Sequence, residues 1–244
     1  MGRDMNVLIT NDDGLTAEGL QSLCAALRAN GKHQITIIAP DSNRSGVSNA
    51  LSILNNPVKL VKHGEQTYSC SGYPADCVVV ALKGALAVKP DLVLSGINHG
   101  ENLGTDIIYS GTAAAARQAG LAGIPAVALS LAGRGDFHWE MASSWVVNNL
   151  EALLTFWKKD CFVNVNIPNS PDGPEGMLEA PPSVRKYKDA MTIMDAPDGS
   201  QWCFLQGEGE IPSMYENSDC AVVLRNYVSV SSVYCYPVQN PIDK

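Results

Sequence analysis

Asp12 and Asp13 are adjacent carboxylates lying between an apolar strand pattern and a helical pattern. Neighbouring anions repel unless something positive sits between them, and a hard divalent cation with oxygen ligands is the natural candidate. An ordinary reading competes. Asp13-Gly14 is common turn chemistry, and acids near a helix N-terminus are favoured by its macrodipole. The pair therefore needs companions before it signifies a metal site.

Three further segments supply them. Ala39-Pro40-Asp41-Ser42-Asn43-Arg44-Ser45-Gly46 offers hydroxyls, a carboxylate and a guanidinium in one loop. Ser95-Gly96-Ile97-Asn98-His99-Gly100-Glu101-Asn102-Leu103-Gly104 offers amide oxygens, and glycines that let a ligand approach the main chain. Tyr109-Ser110-Gly111-Thr112 opens an Ala-rich helix, and hydroxyls with free N–H groups at a helix N-terminus form an anion site. Each has a plain alternative: an N-cap for Ser110, backbone geometry for the Asn and Gly residues, a surface position for Arg44, an incidental loop histidine for His99. Together they suit phosphate-ester hydrolysis. A Mg²⁺ or Mn²⁺ ion would polarise the phosphoryl group and lower the pKa of a bound water, and positioned donors would stabilise the transition state.

Other phosphate architectures fit poorly. No G-x-G-x-x-G follows the first strand and no G-x-x-x-x-G-K-[ST] occurs. A receiver domain needs an Asp after its third strand and a Lys after its fifth. A haloacid-dehalogenase-type phosphatase needs Asp-x-Asp, whereas here the acids adjoin. No Ser-His-Asp or Cys-His arrangement is apparent, which favours direct attack by water.

The elements that must position these residues alternate over the first 170 residues. Strands are expected at 6–10, 34–39, 91–94, 126–130 and 162–166. Helices are expected from Leu15, Leu20, Leu23 and Leu27, from Pro74 with Val78, Leu82, Ala85 and Leu86, over about 112–122, and near 138–157. Short apolar runs such as Leu51–Leu54 read as small hairpin strands. The series implies an α/β fold, Rossmann-like and three-layered, with a mostly parallel sheet whose strand ends form the ligand crevice. Residues 1–170 read as the catalytic core and 171–244 as a C-terminal extension. Met191–Met194 and Trp202–Leu205 flank Asp198-Gly199 as a protruding β-hairpin that needs a partner surface, and Tyr227–Val230 forms a late strand.

With 244 residues, 45% hydrophobic and 17% charged, the chain can bury a full core. A net charge of −8 opposes binding to long nucleic acid but not to one small phosphorylated molecule. Seven scattered cysteines without Cys-x-x-Cys, and four histidines without ligand spacing, disfavour a zinc cluster. Residues 1–5 are polar and no run reaches transmembrane length, so a cytoplasmic protein without a signal peptide is expected.

Val7 to Gly14, Ala39-Pro40-Asp41 through Arg44-Ser45-Gly46, Ser95 to Gly100, Tyr109 to Thr112, and Gly72-Tyr73-Pro74-Ala75-Asp76-Cys77-Val78 together resemble the SurE survival-protein nucleotidases. Asn164 to Pro168 extends the match. The resemblance implies a phosphatase for nucleoside 5′- and 3′-monophosphates using one divalent metal ion, Mg²⁺ or Mn²⁺, and a homodimer or homotetramer built through C-terminal elements. It implies Asp12, Asp13, Ser45 and Asn98 as metal ligands, Asp12 and Asp13 as catalytic, and Asn102, Ser110, Gly111 and Thr112 as phosphate contacts; Arg44 adds nearby charge. The chain departs from the family at Gln118-Ala119, where many members carry Glu-Gly, and at Ser52, often Thr. A non-catalytic nucleotide sensor, or a phosphatase acting mainly on polyphosphate or sugar phosphates, is the competing expectation.

Overall fold

The structure is a computed structural model that describes residues 4–85, 89–213 and 216–237. The chain begins with β1 (Asn6–Thr10), α1 (Glu18–Asn30) and β2 (Gln34–Pro40), then β3 (Leu60–Gly64), β4 (Thr67–Cys70) and α2 (Pro74–Val80). β5 (Leu92–His99), α3 (Gly111–Leu121), β6 (Ala126–Ala132), α4 (Trp139–Leu154) and β7 (Cys161–Pro168) follow. The last elements are β8 (Met177–Glu179), β9 (Val184–Asp195), β10 (Gln201–Ser213), α5 (Asp219–Leu224) and β11 (Val228–Tyr234).

Nine strands form one sheet in the order β3-β4-β2-β1-β5-β6-β7-β11-β8, and β9 pairs with β10 alone. From β4 to β7 all neighbours are parallel. Alternation along the strands builds the three layers. Val7 and Ile9 pack with Leu20, Leu23 and Leu27 of α1 and Val146 and Leu150 of α4. Leu8, between them, points to the opposite face with Cys77 and Val78 of α2 and the alanines of α3. The expected α/β architecture with a mostly parallel sheet and a separate hairpin is present.

The chain moves outward from β1 to β2 and the edge strand β3, turns back into β4 between those two, then crosses to place β5 on the other side of β1. The order reverses between β1 and β5, so the crevice beyond their carboxyl ends is the topological switch point where such sheets bind ligands.

Several expectations change. Leu51–Leu54 forms turns and bends, and the short hairpin lies later, at β3 and β4. An apolar run becomes a strand only with a ladder partner, and β2 offers its edge to β4. β5 runs on through Ser95 to His99 rather than stopping at 94. Helix α4 ends at Leu154, with 155–156 in a turn. Leu86, expected on the helix after Pro74, lies outside the described residues. The tail beyond residue 170 is split: β8 and β11 join the main sheet, β11 antiparallel to β7, while β9 and β10 stand apart. Both margins of the large sheet are short. β8 has three residues, and exposed β3 carries Lys62 with a register shift beside it.

Candidate active site at the switch point

Asp12 is 3% exposed although it lies just past the end of β1. Its backbone turn is braced by Asn11, whose side-chain oxygen accepts from Gly14 N and whose amide donates to Gly14 O at 3.0 Å. Neither acid caps the following helix. α1 starts at Glu18 with Ala17 at its N-cap and no side-chain cap. The turn-and-cap reading of the acidic pair therefore accounts for the turn but not for the carboxylates.

Asp12 reaches across the crevice to α3, where the Thr112 hydroxyl donates to its Oδ1. That approach needs Gly111. A methyl group there would sit 2.8 Å from Asp12 Cβ and 3.1 Å from Pro74 Cγ. Burial pushes the Asp12 carboxyl up to about 6; the Thr112 bond opposes the rise and the Asp13 charge adds to it. Asp13 is also raised, again by burial, against a bond from the His99 backbone N–H to its Oδ2 at 3.1 Å and the His99 charge. Among the described residues no cationic side chain is paired with either acid.

The bend in β5 brings the third wall. One extra residue between Ser95 and Asn98 shifts the register against β6, a bulge of the kind that re-aims side chains at functional edges. Gly96 permits it: its φ is +139°, and a Cβ would lie 2.3 Å from Leu129 O. Past the bulge, Asn98 donates its amide nitrogen to Gly100 O at 2.9 Å, which turns the side-chain oxygen away from that carbonyl and frees it to accept or ligate. The fourth wall is the loop after β2. Its Arg44 N–H donates to Asp12 O at 2.7 Å and Asn43 Oδ1 accepts from Ser45 N. Ser48 then ties the loop to the approach of α3, donating from its N–H to Tyr109 O and from its hydroxyl to Ile108 O.

Thr112 is thus bonded to Asp12, the His99 backbone next to Asn98 to Asp13, and the loop carrying Ser45 to Asp12 O through the Arg44 N–H. Ser110 caps α3 by accepting from Ala113 N at 3.0 Å, and Thr112 is engaged with Asp12. The N-terminal N–H groups of α3 are consequently the better anion donors there. Arg44 stacks over the Tyr73 ring and donates to Asp41 and Ser71 O, with its Nε buried and unpartnered. Asn102 is buried deeper than its loop position suggests. Its amide donates to Ser130 Oγ, its N–H to Asn166 Oδ1, and its carbonyl accepts from Asn164 and Asn166.

The family model described as "Survival protein SurE" matches residues 7–189, three-quarters of the chain. The chain belongs to the SurE family. A relative from Synechococcus sp. (strain JA-3-3Ab), named 5′-nucleotidase SurE, is 41% identical over 237 residues, covering 93% of this chain and 90% of its own. A protein of the same name from Marinomonas sp. (strain MWYL1) is 37% identical, covering 98% and 97%. The crystal structure of SurE protein from Aquifex aeolicus superposes with a TM-score of 0.82 at 34% identity, covering 96% of this chain and 94% of that one.

Within this SurE scaffold, sequence reasoning passed over several positioning residues. Asn164 and Asn166 carry a strand expectation and an extension of the family match but no site role, yet two amides on one face of an otherwise apolar buried strand are anomalous and mark a polar task. Asp76 accepts from Ser52 N and Oγ, Ile53 N and Tyr73 N, which explains the hydroxyl at Ser52. Asp219 ties Gly104 to Ser183 across 115 residues of chain. Gln118 lies on α3 one turn and a half beyond Thr112, away from these contacts.

Proposed function

We propose that this SurE-family chain is a divalent-metal-dependent phosphohydrolase that releases phosphate from nucleoside 5′-monophosphates, with 3′-monophosphates as further substrates. The observation that carries this reading is the Asp12–Asp13 pair at the switch point, Asp12 buried and Asp13 half-buried, both carboxyls raised and unpaired with any cation among the described residues. The names of the relatives give the reaction class.

The residues present suit Mg²⁺ or Mn²⁺. The donors are hard oxygens: Asp12 and Asp13 carboxylates, the Asn98 amide oxygen left free by its bond to Gly100, and the Ser45 hydroxyl. None of these donors is a His nitrogen or a Cys sulfur, which suits a hard cation rather than a soft one. When bound, the ion supplies Lewis acidity toward a phosphoryl oxygen and acidity to a coordinated water. The chain supplies the rest. Asp12 and Asp13 provide the negative charge that fixes the ion and orient the attacking water. The first N–H groups of α3, with Ser110 and Thr112, receive the phosphate oxygens. Asn102, fixed by Asn164 and Asn166, keeps the amide N–H not bonded to Ser130 for a phosphate oxygen, and Arg44 lends positive charge at the rim.

The same reading makes the protein a homodimer or homotetramer joined through the β9–β10 hairpin. Seven free thiols suit a cytoplasmic setting, and no described helix is long and apolar enough to cross a membrane.

Phosphate release from AMP and GMP, with and without EDTA, tests the activity. Turnover is expected to vanish on chelation, return with Mg²⁺ or Mn²⁺, and fall on the order of 1,000-fold in Asp12→Asn. Nucleotide binding without release under any metal would instead establish a sensor.

A further inference from the structure

We propose that the exposed imidazole of His99, held upright by Phe137 and Trp139, is the platform on which the substrate's nucleobase stacks, with purines favoured over pyrimidines. The proposal rests on the nucleotidase reading and adds the missing recognition of the base.

Position comes first. His99 is the last residue of β5 and its N–H is bonded to Asp13, so it stands beside the acidic pair, at the lip of the crevice. A nucleotide whose phosphate lies at α3 must extend its sugar and base outward over this lip or the opposite one. The ring is exposed, unlike the neighbouring side chains of β5.

Rigidity comes next. The His99 ring meets Phe137 edge-on at 4.1 Å between centroids and 85°, and Trp139 at 5.8 Å and 79°. Phe137 and Trp139 are themselves stacked, 5.1 Å apart at 17°. Both are partly buried against the core on the α1–α4 side of the sheet. Trp139 Nε1 donates to Glu18 Oε2 at 2.9 Å, and Asn169 holds the backbone at Asp136 and His138. Both contacts are near-perpendicular, so neither Phe137 nor Trp139 lies parallel on the imidazole face. A preorganised aromatic face lowers the ordering cost of binding. Base stacking on such a face is tolerant of base identity, and the larger purine overlap sets the preference.

The test separates base recognition from phosphate chemistry. Steady-state phosphate release is compared for AMP, UMP and ribose 5-phosphate, and adenosine binding is measured by calorimetry, which needs no turnover. His99→Ala is expected to weaken adenosine about tenfold and to raise KM for AMP by a similar factor with kcat held. It should erase the AMP-over-UMP preference and leave kcat/KM for ribose 5-phosphate within about twofold. His99→Phe should restore both the adenosine affinity and the preference. Equal losses on AMP and ribose 5-phosphate, or unchanged adenosine affinity in His99→Ala, would overturn the platform. If no ester is hydrolysed at all, the nucleotidase reading falls by itself, and the adenosine titration still decides the role of His99.

Discussion

The crevice around Asp12 and the β9–β10 hairpin are opposite kinds of structure. At the crevice, polar groups from β1, the loops after β2 and β5, and helix α3 are cross-tied: Thr112 to Asp12, His99 to Asp13, Arg44 to Asp12, Ser48 to Tyr109. The hairpin leaves apolar side chains uncovered on both faces. Trp202 and Met194 lie on one at 63% and 58% exposure, Leu205 and Met191 on the other at 66% and 55%. Its base is anchored, where Arg185 pairs with Asp106 and Glu101 and the Tyr187 hydroxyl reaches Asp106. Among the described residues, the first region lacks a counter-charge for its two acids, and the second lacks a surface over its exposed apolar side chains. A deficit of charge points to an ion; a deficit of contact points to another polypeptide.

The largest expected effect probes the charge deficit. In metal-free protein the Asp12 carboxyl is held up to about 6, against 3.8 for an open carboxylate. The folded form then keeps a proton that the unfolded chain has lost, so this group makes stability fall as pH rises between those two values and adds no further slope above them. The loss amounts to roughly 3 kcal/mol. It is read as the difference between urea midpoints of the wild type and Asp12→Asn in EDTA, and a difference that stays flat across that interval would remove the deficit. Metal affinity should run the other way, weakening below about pH 6 as the proton competes.

Gly111→Ala comes next. The added methyl meets Asp12 Cβ at 2.8 Å, so the acid or the helix must shift. Phosphate release should drop on the order of 100-fold, with a loss of about 1–3 kcal/mol in urea unfolding. Full activity in this variant would show that the crevice tolerates slack. Asn166→Ala is a milder test, since it strips the acceptor from the buried Asn102 N–H. About 2 kcal/mol of destabilisation is expected, and a smaller loss would mean that Asn164 and Ser130 hold the loop unaided.

Legibility followed the same division. β1, α1, β2, β6 and β7 could be read because each carries its own periodicity and little else competes for it. β5 could not be bounded, because Ser95-Gly96 looks like a loop until β6 is present to pair on both sides of the bulge. Leu51–Leu54 looked like a strand because composition does not reveal whether a ladder partner exists. β8, α5 and the antiparallel docking of β11 depend on contacts made over long stretches of chain, such as Asp219 to Gly104. At the site, the acidic pair and the helix opening at Ser110 stood out from residue type and placement, and the family resemblance added Ser45 and Asn98. His99 was set aside as an incidental loop residue, since its aromatic supports lie nearly 40 residues further on.

The smallest effect concerns the hairpin. Trp202→Ser with Leu205→Ser should alter the stability of the chain by no more than about 0.5 kcal/mol, because these side chains are exposed within it. The mass in solution, measured by light scattering, should fall to that of a single chain. An unchanged assembly would remove the hairpin from the interface and leave its apolar faces unexplained.

The two margins of the nine-stranded sheet bear on how copies of this chain meet. A three-residue strand on one side and a lysine-bearing, irregular strand on the other offer poor templates for main-chain pairing. Lateral growth from molecule to molecule is therefore disfavoured, and a crowded solution of this protein is guarded against fibre formation along its broadest surface.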